Sequence, residues 1–253
     1  MKDTVQVWQI PLQVSSSVLQ AYAKCLSVDE RSRADRFRFP DDRRRYTVAR
    51  GTLRYLLSQQ FACLPEEISF CYSKYGKPSV EPMGSDGLTT AQPSSQSAGD
   101  QSAGENCDFH FNISHSGELA LCALGYSRRV GIDIEKLKGI QRLEGMMDRC
   151  LSLREQSNVK ASDTPLEAFL TYWTCKEAYL KAIGLGLSQS MTTVEVEMEP
   201  LSLSRVPNDC VEGWRLHLVD VPEGYTGALV VAGDALVVCD RWTHSTTLSK
   251  SPF

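Results

Sequence analysis

The sequence predicts an α+β fold made of two similar α/β halves with a cleft between them. Short strand-like runs alternate with amphipathic helical stretches along all 253 residues. A helix, a longer helix and then a set of strands occur in that order twice. A short motif also recurs: Cys25-Leu26-Ser27 with Glu30 returns as Cys150-Leu151-Ser152 with Glu155, each time ahead of a longer amphipathic helix.

Residues 5 to 12 read as a strand, and 15 to 26 (SSSVLQAYAKCL) as a helix capped by serine. A second helix is expected over 41 to 61: Pro40 can start it, Asp41 and Asp42 suit its positive end, and Val48, Leu53, Leu56, Leu57 and Phe61 form its apolar stripe. Strand-like runs follow at 67 to 72, 109 to 114, 118 to 125 and 129 to 135. Between the first two lies a Gly/Ser/Gln-rich stretch, 84 to 106, too poor in apolar groups to offset its ordering entropy and expected to be a mobile surface loop. The second half predicts helices near 140 to 150 and 165 to 183, then strands near 191 to 198, 214 to 221 and 226 to 232, with Glu223-Gly224 as a turn signal. The expected division is therefore 1–126 and 127–253.

Composition narrows the function classes. With 42% apolar residues the chain can bury a sizeable core. It has no run near the roughly 20 apolar residues of a membrane span, and its N-terminus lacks a signal-peptide core. A soluble, cytoplasmic protein is expected. Nine cysteines without a CxxC pair or clustered histidines argue against a disulfide scaffold and against structural zinc. The net charge of −4 hides nine arginines between Arg31 and Arg54. They either pair with Asp29, Glu30, Asp35, Asp41 and Asp42 on a solvated helix face or meet an anion. The acidic overall balance and the lack of a nucleic-acid-binding motif favour a small polyanion or an acidic protein over nucleic acid.

Three segments carry candidate chemistry. In Val130-Gly131-Ile132-Asp133-Ile134-Glu135 the alternation puts Asp133 and Glu135 on one side of a strand, where two acids either face bulk water or share a cation. In Phe169 to Gly184, Trp173, Glu177 and Lys181 lie along one helix face; by itself, Glu177 with Lys181 reads as a surface salt bridge. In Phe109 to Gly117 a strand runs into a polar turn, where Ser114, His115 and Ser116 could cradle phosphate oxygens or make structural hydrogen bonds.

Together, Tyr75-Gly76-Lys77-Pro78, the FNISHS of Phe111 to Ser116, the GIDIE of Gly131 to Glu135 and the WTCKEAYLK of Trp173 to Lys181 resemble the motif set of 4′-phosphopantetheinyl transferases. The likeness is to the longer, Sfp-like class and runs from about residue 5 to about residue 233. It implies two pseudo-symmetric α/β halves, each a small, mainly antiparallel sheet packed with helices, with coenzyme A and Mg²⁺ in the cleft between them.

By motif position the resemblance implies that Asp133, Glu135 and Glu177 hold the metal against the pyrophosphate, in the all-oxygen shell that Mg²⁺ favours. Lys181 then binds phosphate, Ser114 and His115 contact the nucleotide phosphates, and Lys77 lies beside the adenine. Arg33 and Arg45 fall near the 3′-phosphate, with Arg50 and Arg54 as further candidates. The implied reaction is attack by a serine hydroxyl of an acyl or peptidyl carrier protein on the β-phosphorus of coenzyme A, with 3′,5′-ADP leaving and Glu177 as candidate general base. A monomer is expected, since both halves of the cleft lie in one chain. Glu30 stands where some members of the family carry a basic residue, a departure that would weaken the 3′-phosphate pocket unless neighbouring arginines replace the charge. The rival readings are a silent coenzyme A-binding module and a coenzyme A enzyme acting on the thioester end. The second needs no carboxylate cluster at the pyrophosphate.

Overall fold

A computed structural model describes residues 4–81, 109–185, 189–207 and 211–244. The first half runs β1 (Thr4–Pro11), α1 (Ser16–Cys25), α2 (Val28–Asp35), α3 (Pro40–Phe61), the short hairpin β2 (Phe70–Tyr72) and β3 (Pro78–Val80), then β4 (Phe109–Ser116) and β5 (Leu119–Tyr126). The second runs β6 (Val130–Lys136), α4 (Leu143–Cys150), α5 (Leu153–Ala161), α6 (Pro165–Ile183), the hairpin β7 (Glu195–Met198) and β8 (Leu201–Arg205), then β9 (Trp214–Leu218) and β10 (Tyr225–Ala232). A last strand, β11 (Leu236–Arg241), follows.

The two halves share one topology. In the first, β5 pairs antiparallel with both β1 and β4; in the second, β10 pairs antiparallel with both β6 and β9. Three helices and a small hairpin separate the equivalent strands each time, so the pseudo-symmetric α+β architecture is present in the connectivity. Only β11 breaks it, returning from the second half to pair parallel with β1.

Strand alternation sorts the apolar side chains into three layers. Ile10, Leu12, Ala120 and Cys122 pack under Tyr22 of α1 and Val48, Leu53, Leu56 and Leu57 of α3. Each of those α3 aliphatics is buried, worth about 1.5–3 kcal/mol apiece against exposure. The other face of that sheet, with Val5, Val7, Leu119 and Leu121, meets Val130, Ile132, Ile134 and Leu229 of the second sheet. The outer face of the second sheet, with Ala228 and Val230, lies under Cys175, Ala178 and Tyr179 of α6.

The repeated Cys-Leu-Ser motif has a physical meaning. Ser27 and Ser152 are the N-caps of α2 and α5, and Glu30 and Glu155 close the capping boxes by accepting from the serine amides at 2.9 and 2.7 Å. Each glutamate is buried and also meets a cation of the longer helix. Glu30 accepts from Arg50 and, at 2.6 Å, from Arg54; Glu155 accepts from Lys176 at 2.6 Å. Those cations continue to the carbonyls that follow, Arg54 to Pro65 and Ile68, Lys176 to Met191.

Several boundaries differ from expectation. The helices α2 and α5 are additional, each only about two turns long and with too few apolar residues for a periodic stripe. The strand expected from 191 begins only at Glu195, after a 3-10 turn at Met191–Thr193. That expected at 214 to 221 ends at Leu218. The polar segment at 114 to 116 continues β4, and the turn comes at Gly117, whose φ of 55° suits a residue without a side chain. The loop expected at 84 to 106 lies outside the described residues.

Candidate active site

The site forms where the halves meet, along a seam between β4 and β6. Alternate residues of β4 bridge to β6 through side chains. The Asn112 Oδ1 accepts from the Ile132 amide at 2.9 Å, Ser114 donates to Asp133 Oδ1 at 2.7 Å, and Ser116 donates to Glu135 Oε2 at 2.8 Å. FNISHS and GIDIE are therefore one interlocked structure, with the strand period of two setting which residues meet.

The helix α6 closes the seam from the other side. A Cβ built on Gly131 would lie 2.0 Å from the Ala178 carbonyl oxygen and 2.3 Å from the Ala182 amide, so the glycine lets helix backbone rest on strand backbone. That approach lowers Glu177 and Lys181, one turn apart, beside Asp133. Lys181 Nζ donates to Asp133 Oδ1 at 2.5 Å and to Ser114 Oγ at 2.9 Å. The ion pair thus runs from helix to strand, and the surface Glu177–Lys181 bridge is not what forms.

The acids are not on a solvated edge. Asp133 is 3% exposed and Glu177 8%, and Asp133 Oδ2 and Glu177 Oε1 are buried without a hydrogen-bond partner. Burial pushes the Glu177 carboxyl above its ordinary pKa, with Lys181 opposing and the charges of Asp133 and Glu135 adding to it. Burial likewise raises Glu135, with the Ser116 hydrogen bond opposing and Asp133 adding. Among the described residues no three Asp, Glu, His or Cys groups already converge as a metal cage, and the Lys181 ammonium takes Asp133 Oδ1. The donor set still fits a hard divalent cation. It offers carboxylate oxygens alone, two of them buried and unbonded, in surroundings that penalise their negative charge.

Next to the acids, and sharing Ser114 with them, a pocket of about 320 Å³ is lined by Arg33, Tyr46, Arg50, Tyr72, Ser114 and His115, among others. The guanidinium of Arg33 lies 5.6 Å from the Tyr46 ring centroid. Arg50 is fixed on three sides: its Nε donates to Glu30, its Nη2 to the Tyr72 hydroxyl at 2.9 Å, and its guanidinium lies 3.7 Å from the Phe70 ring centroid. Two tyrosines and two arginines make a slot for a flat ring carrying negative charge. Tyr46 and Tyr72 were missed in the sequence. A signal existed for the first, because Tyr46, Ala49 and Arg50 stand at i, i+3 and i+4 on one face of α3.

Three basic residues have other work. Arg45, together with Arg44, clamps Glu118 at the β4–β5 turn, with Nη2 of Arg45 at 2.7 Å, and also bonds Asp42; it does not line the pocket. Arg54 is 2% exposed and belongs to the Glu30 network. Lys77 turns its ammonium away from this pocket onto the backbone carbonyls of Lys181, Ala182 and Val130, at 2.7, 2.8 and 3.3 Å. Only its neighbours Gly76 and Pro78 line that pocket. Glu30, for its part, does not line the pocket: its buried carboxylate holds Arg50.

The chain is similar to known proteins along most of its length. A model of the 4′-phosphopantetheinyl transferase superfamily matches residues 129–230, and one of the N-terminal region of 4′-phosphopantetheinyl transferases matches residues 11–125. The chain is 36% identical over 238 residues to the 4′-phosphopantetheinyl transferase HetI of Nostoc sp., covering 92% of this chain and 90% of that protein. It is 29% identical over 181 residues to the 4′-phosphopantetheinyl transferase Sfp of Bacillus subtilis, covering 71% of this chain and 69% of that protein. A solved holo-(acyl-carrier-protein) synthase from Bacillus anthracis aligns with 42% of this chain and 96% of its own at 26% identity and a TM-score of 0.35. With a relative this similar along nine-tenths of both chains, the protein belongs to the 4′-phosphopantetheinyl transferase family.

Proposed function

We propose that this enzyme transfers the 4′-phosphopantetheine arm of coenzyme A to a serine of acyl or peptidyl carrier proteins, releases 3′,5′-ADP, and depends on Mg²⁺. The observation that carries the reading is the pair of buried, unbonded carboxylate oxygens on Asp133 and Glu177 beside Lys181, joined through Ser114 to a basic, tyrosine-lined pocket.

In this reading Arg33, Arg50, Tyr46 and Tyr72 bind the adenosine end, and Ser114 and His115 meet its phosphates. Asp133, Glu135 and Glu177 would hold the metal, which when bound draws charge from the pyrophosphate oxygens. Lys181 supplies the second positive charge and exchanges its Asp133 contact for a phosphate oxygen. Glu177 takes the proton of the incoming serine, directly or through a water. Its burial raises its basicity, and metal ligation opposes that. Residues 1–126 and 127–253 stand on opposite sides of the cleft, with β11 crossing back, and the working unit is a monomer. Free thiols at the seven described cysteines support a reducing, cytoplasmic setting. Among the described residues no helix is long and apolar enough to cross a membrane.

The test is the intact mass of an apo carrier after incubation with this protein, coenzyme A and Mg²⁺. The expected result is a gain of one phosphopantetheinyl group, lost with EDTA and with Glu177→Ala. No gain across several acyl and peptidyl carriers, with coenzyme A still bound, would make the chain a silent binding module.

A further inference from the structure

The half-buried ammonium of Lys77 is an unusual use of a charge. It sits in the turn of the β2–β3 hairpin, which is closed by the Ser73 amide donating to the Lys77 carbonyl at 2.9 Å and the Lys77 amide donating to Ser73 Oγ at 3.1 Å. From this turn in the first half its side chain crosses to the second half. There it donates to Lys181 and Ala182 at the end of α6 and to Val130 at the start of β6. Burial, with the charge of Arg129 adding, brings its pKa down to about 8.

The three acceptors mark the point where the site's geometry is decided. The helix α6 ends at Gly184, with φ of 76°, where the Leu185 amide bonds back to Leu180 and the Gly184 amide to Lys181 at 3.2 Å; Lys77 adds its donors to the Lys181 and Ala182 carbonyls at the negative end of the helix. Val130 adjoins Gly131, where α6 backbone touches β6 backbone. The carbonyl that Lys77 holds most closely belongs to Lys181 itself, whose ammonium grips Asp133 and Ser114. The same hairpin supplies Tyr72, Gly76 and Pro78 to the nucleotide pocket. A smaller pocket of about 160 Å³, lined by Tyr75, Gly76, Lys77, Pro78, Asn112 and Lys181, shares Gly76 and Pro78 with the first pocket and Lys181 with the acid cluster.

We propose that Lys77 is a positioning residue: by tying the β2–β3 turn to the ends of α6 and β6, it fixes the separation between the nucleotide pocket and the Asp133–Glu177–Lys181 cluster. It touches neither the nucleotide nor the reacting phosphate. The inference rests on the proposed function, in that the pocket and the cluster bind two parts of one substrate.

The experiment compares Lys77→Met, which keeps the stem and removes the donors, with wild type. Wild-type carrier loading is measured first; its absence refutes the functional reading and leaves this one to the exchange measurement below. With loading present, Lys77→Met is expected to lower kcat by about 10- to 100-fold, the scale set by misplacing reacting groups by about an ångström. Affinity for 3′,5′-ADP, which lacks the pyrophosphate, should stay within about twofold. Lys77→Arg, which restores donors to the carbonyls, should recover part of kcat. Equal losses in kcat and in 3′,5′-ADP affinity would make Lys77 a direct nucleotide contact and overturn the proposal, as would an unchanged kcat. If Lys77→Met does not fold, amide exchange of the wild-type protein decides: filling the pocket with 3′,5′-ADP should slow exchange at residues 180–185 through the Lys77 link. Unchanged exchange there, with the ligand bound, overturns the proposal.

Discussion

Replacing Gly131 by alanine should move α6 off β6 and disable the site without touching a charged group. The added Cβ would lie 2.0 Å from the Ala178 carbonyl oxygen, 2.3 Å from the Ala182 amide and 2.8 Å from the Ala182 Cα. All three are helix backbone, so no side chain can swing aside. The helix must retreat by about 1 Å before the shortest contact reaches the 3.0 Å that Cβ atoms respect. Overpacking of this kind costs about 1–3 kcal/mol, and a shift of this size between reacting groups costs about 100-fold in rate. The denaturation midpoint and the rate of carrier loading should therefore both fall in Gly131→Ala. A variant with a wild-type midpoint and rate would refute the argument that the glycine sets the helix height. A lowered midpoint with an unchanged rate would show that the height does not control the chemistry.

Other outcomes follow from the buried charges and thiols. Breaking the Glu30 network with Glu30→Gln leaves Arg54, 2% exposed, without its carboxylate, at a cost of about 3–5 kcal/mol measured by denaturant unfolding. The pH dependence has a definite sign. Burial alone would raise the Glu30 pKa, but the Arg54 hydrogen bonds and the Arg50 charge bring it below the ordinary value. Its stabilisation is therefore complete above the unfolded carboxylate pKa of about 4.3 and is lost as pH falls further, a limb that Glu30→Gln should flatten. In the second half Lys176→Met should cost a similar amount by stranding Glu155, and Glu155→Leu added to it should recover much of the loss. In a native alkylation series followed by peptide mass, exposed Cys239 should label first among the described cysteines. Cys25 and Cys175, whose thiols burial pushes up to about 12, should react only after unfolding.

The strongly periodic elements are legible in the amino-acid order alone. The helix at Pro165–Ile183 matches its expected span, and that at Pro40–Phe61 differs by one residue, because proline at the start and an apolar stripe are local signals. The helices at Val28–Asp35 and Leu153–Ala161 carry no such stripe. Their only local sign is the Ser-x-x-Glu box, visible in the sequence as part of a repeat but not as two caps. The final strand at Leu236–Arg241 is invisible there for a different reason: its partner is β1, more than two hundred residues earlier.

By itself the sequence determined that Asp133 and Glu135 share one side of a strand, that Glu177 and Lys181 share one face of a helix, and that the chain repeats itself, since each follows from the period of the backbone or from the motif. The tertiary structure alone decided which charges remain for a ligand. Nine arginines crowd into Arg31 to Arg54 with no local mark to separate them. Arg54 belongs to Glu30, Arg45 to Glu118 and Lys77 to three carbonyls of the other half, while Arg33 and Arg50 line the pocket. The physical reason is that a long cationic side chain goes to whichever acceptor folding brings within reach. For Arg45 and Lys77 that acceptor is 73 and about a hundred residues away in the chain, beyond any spacing rule.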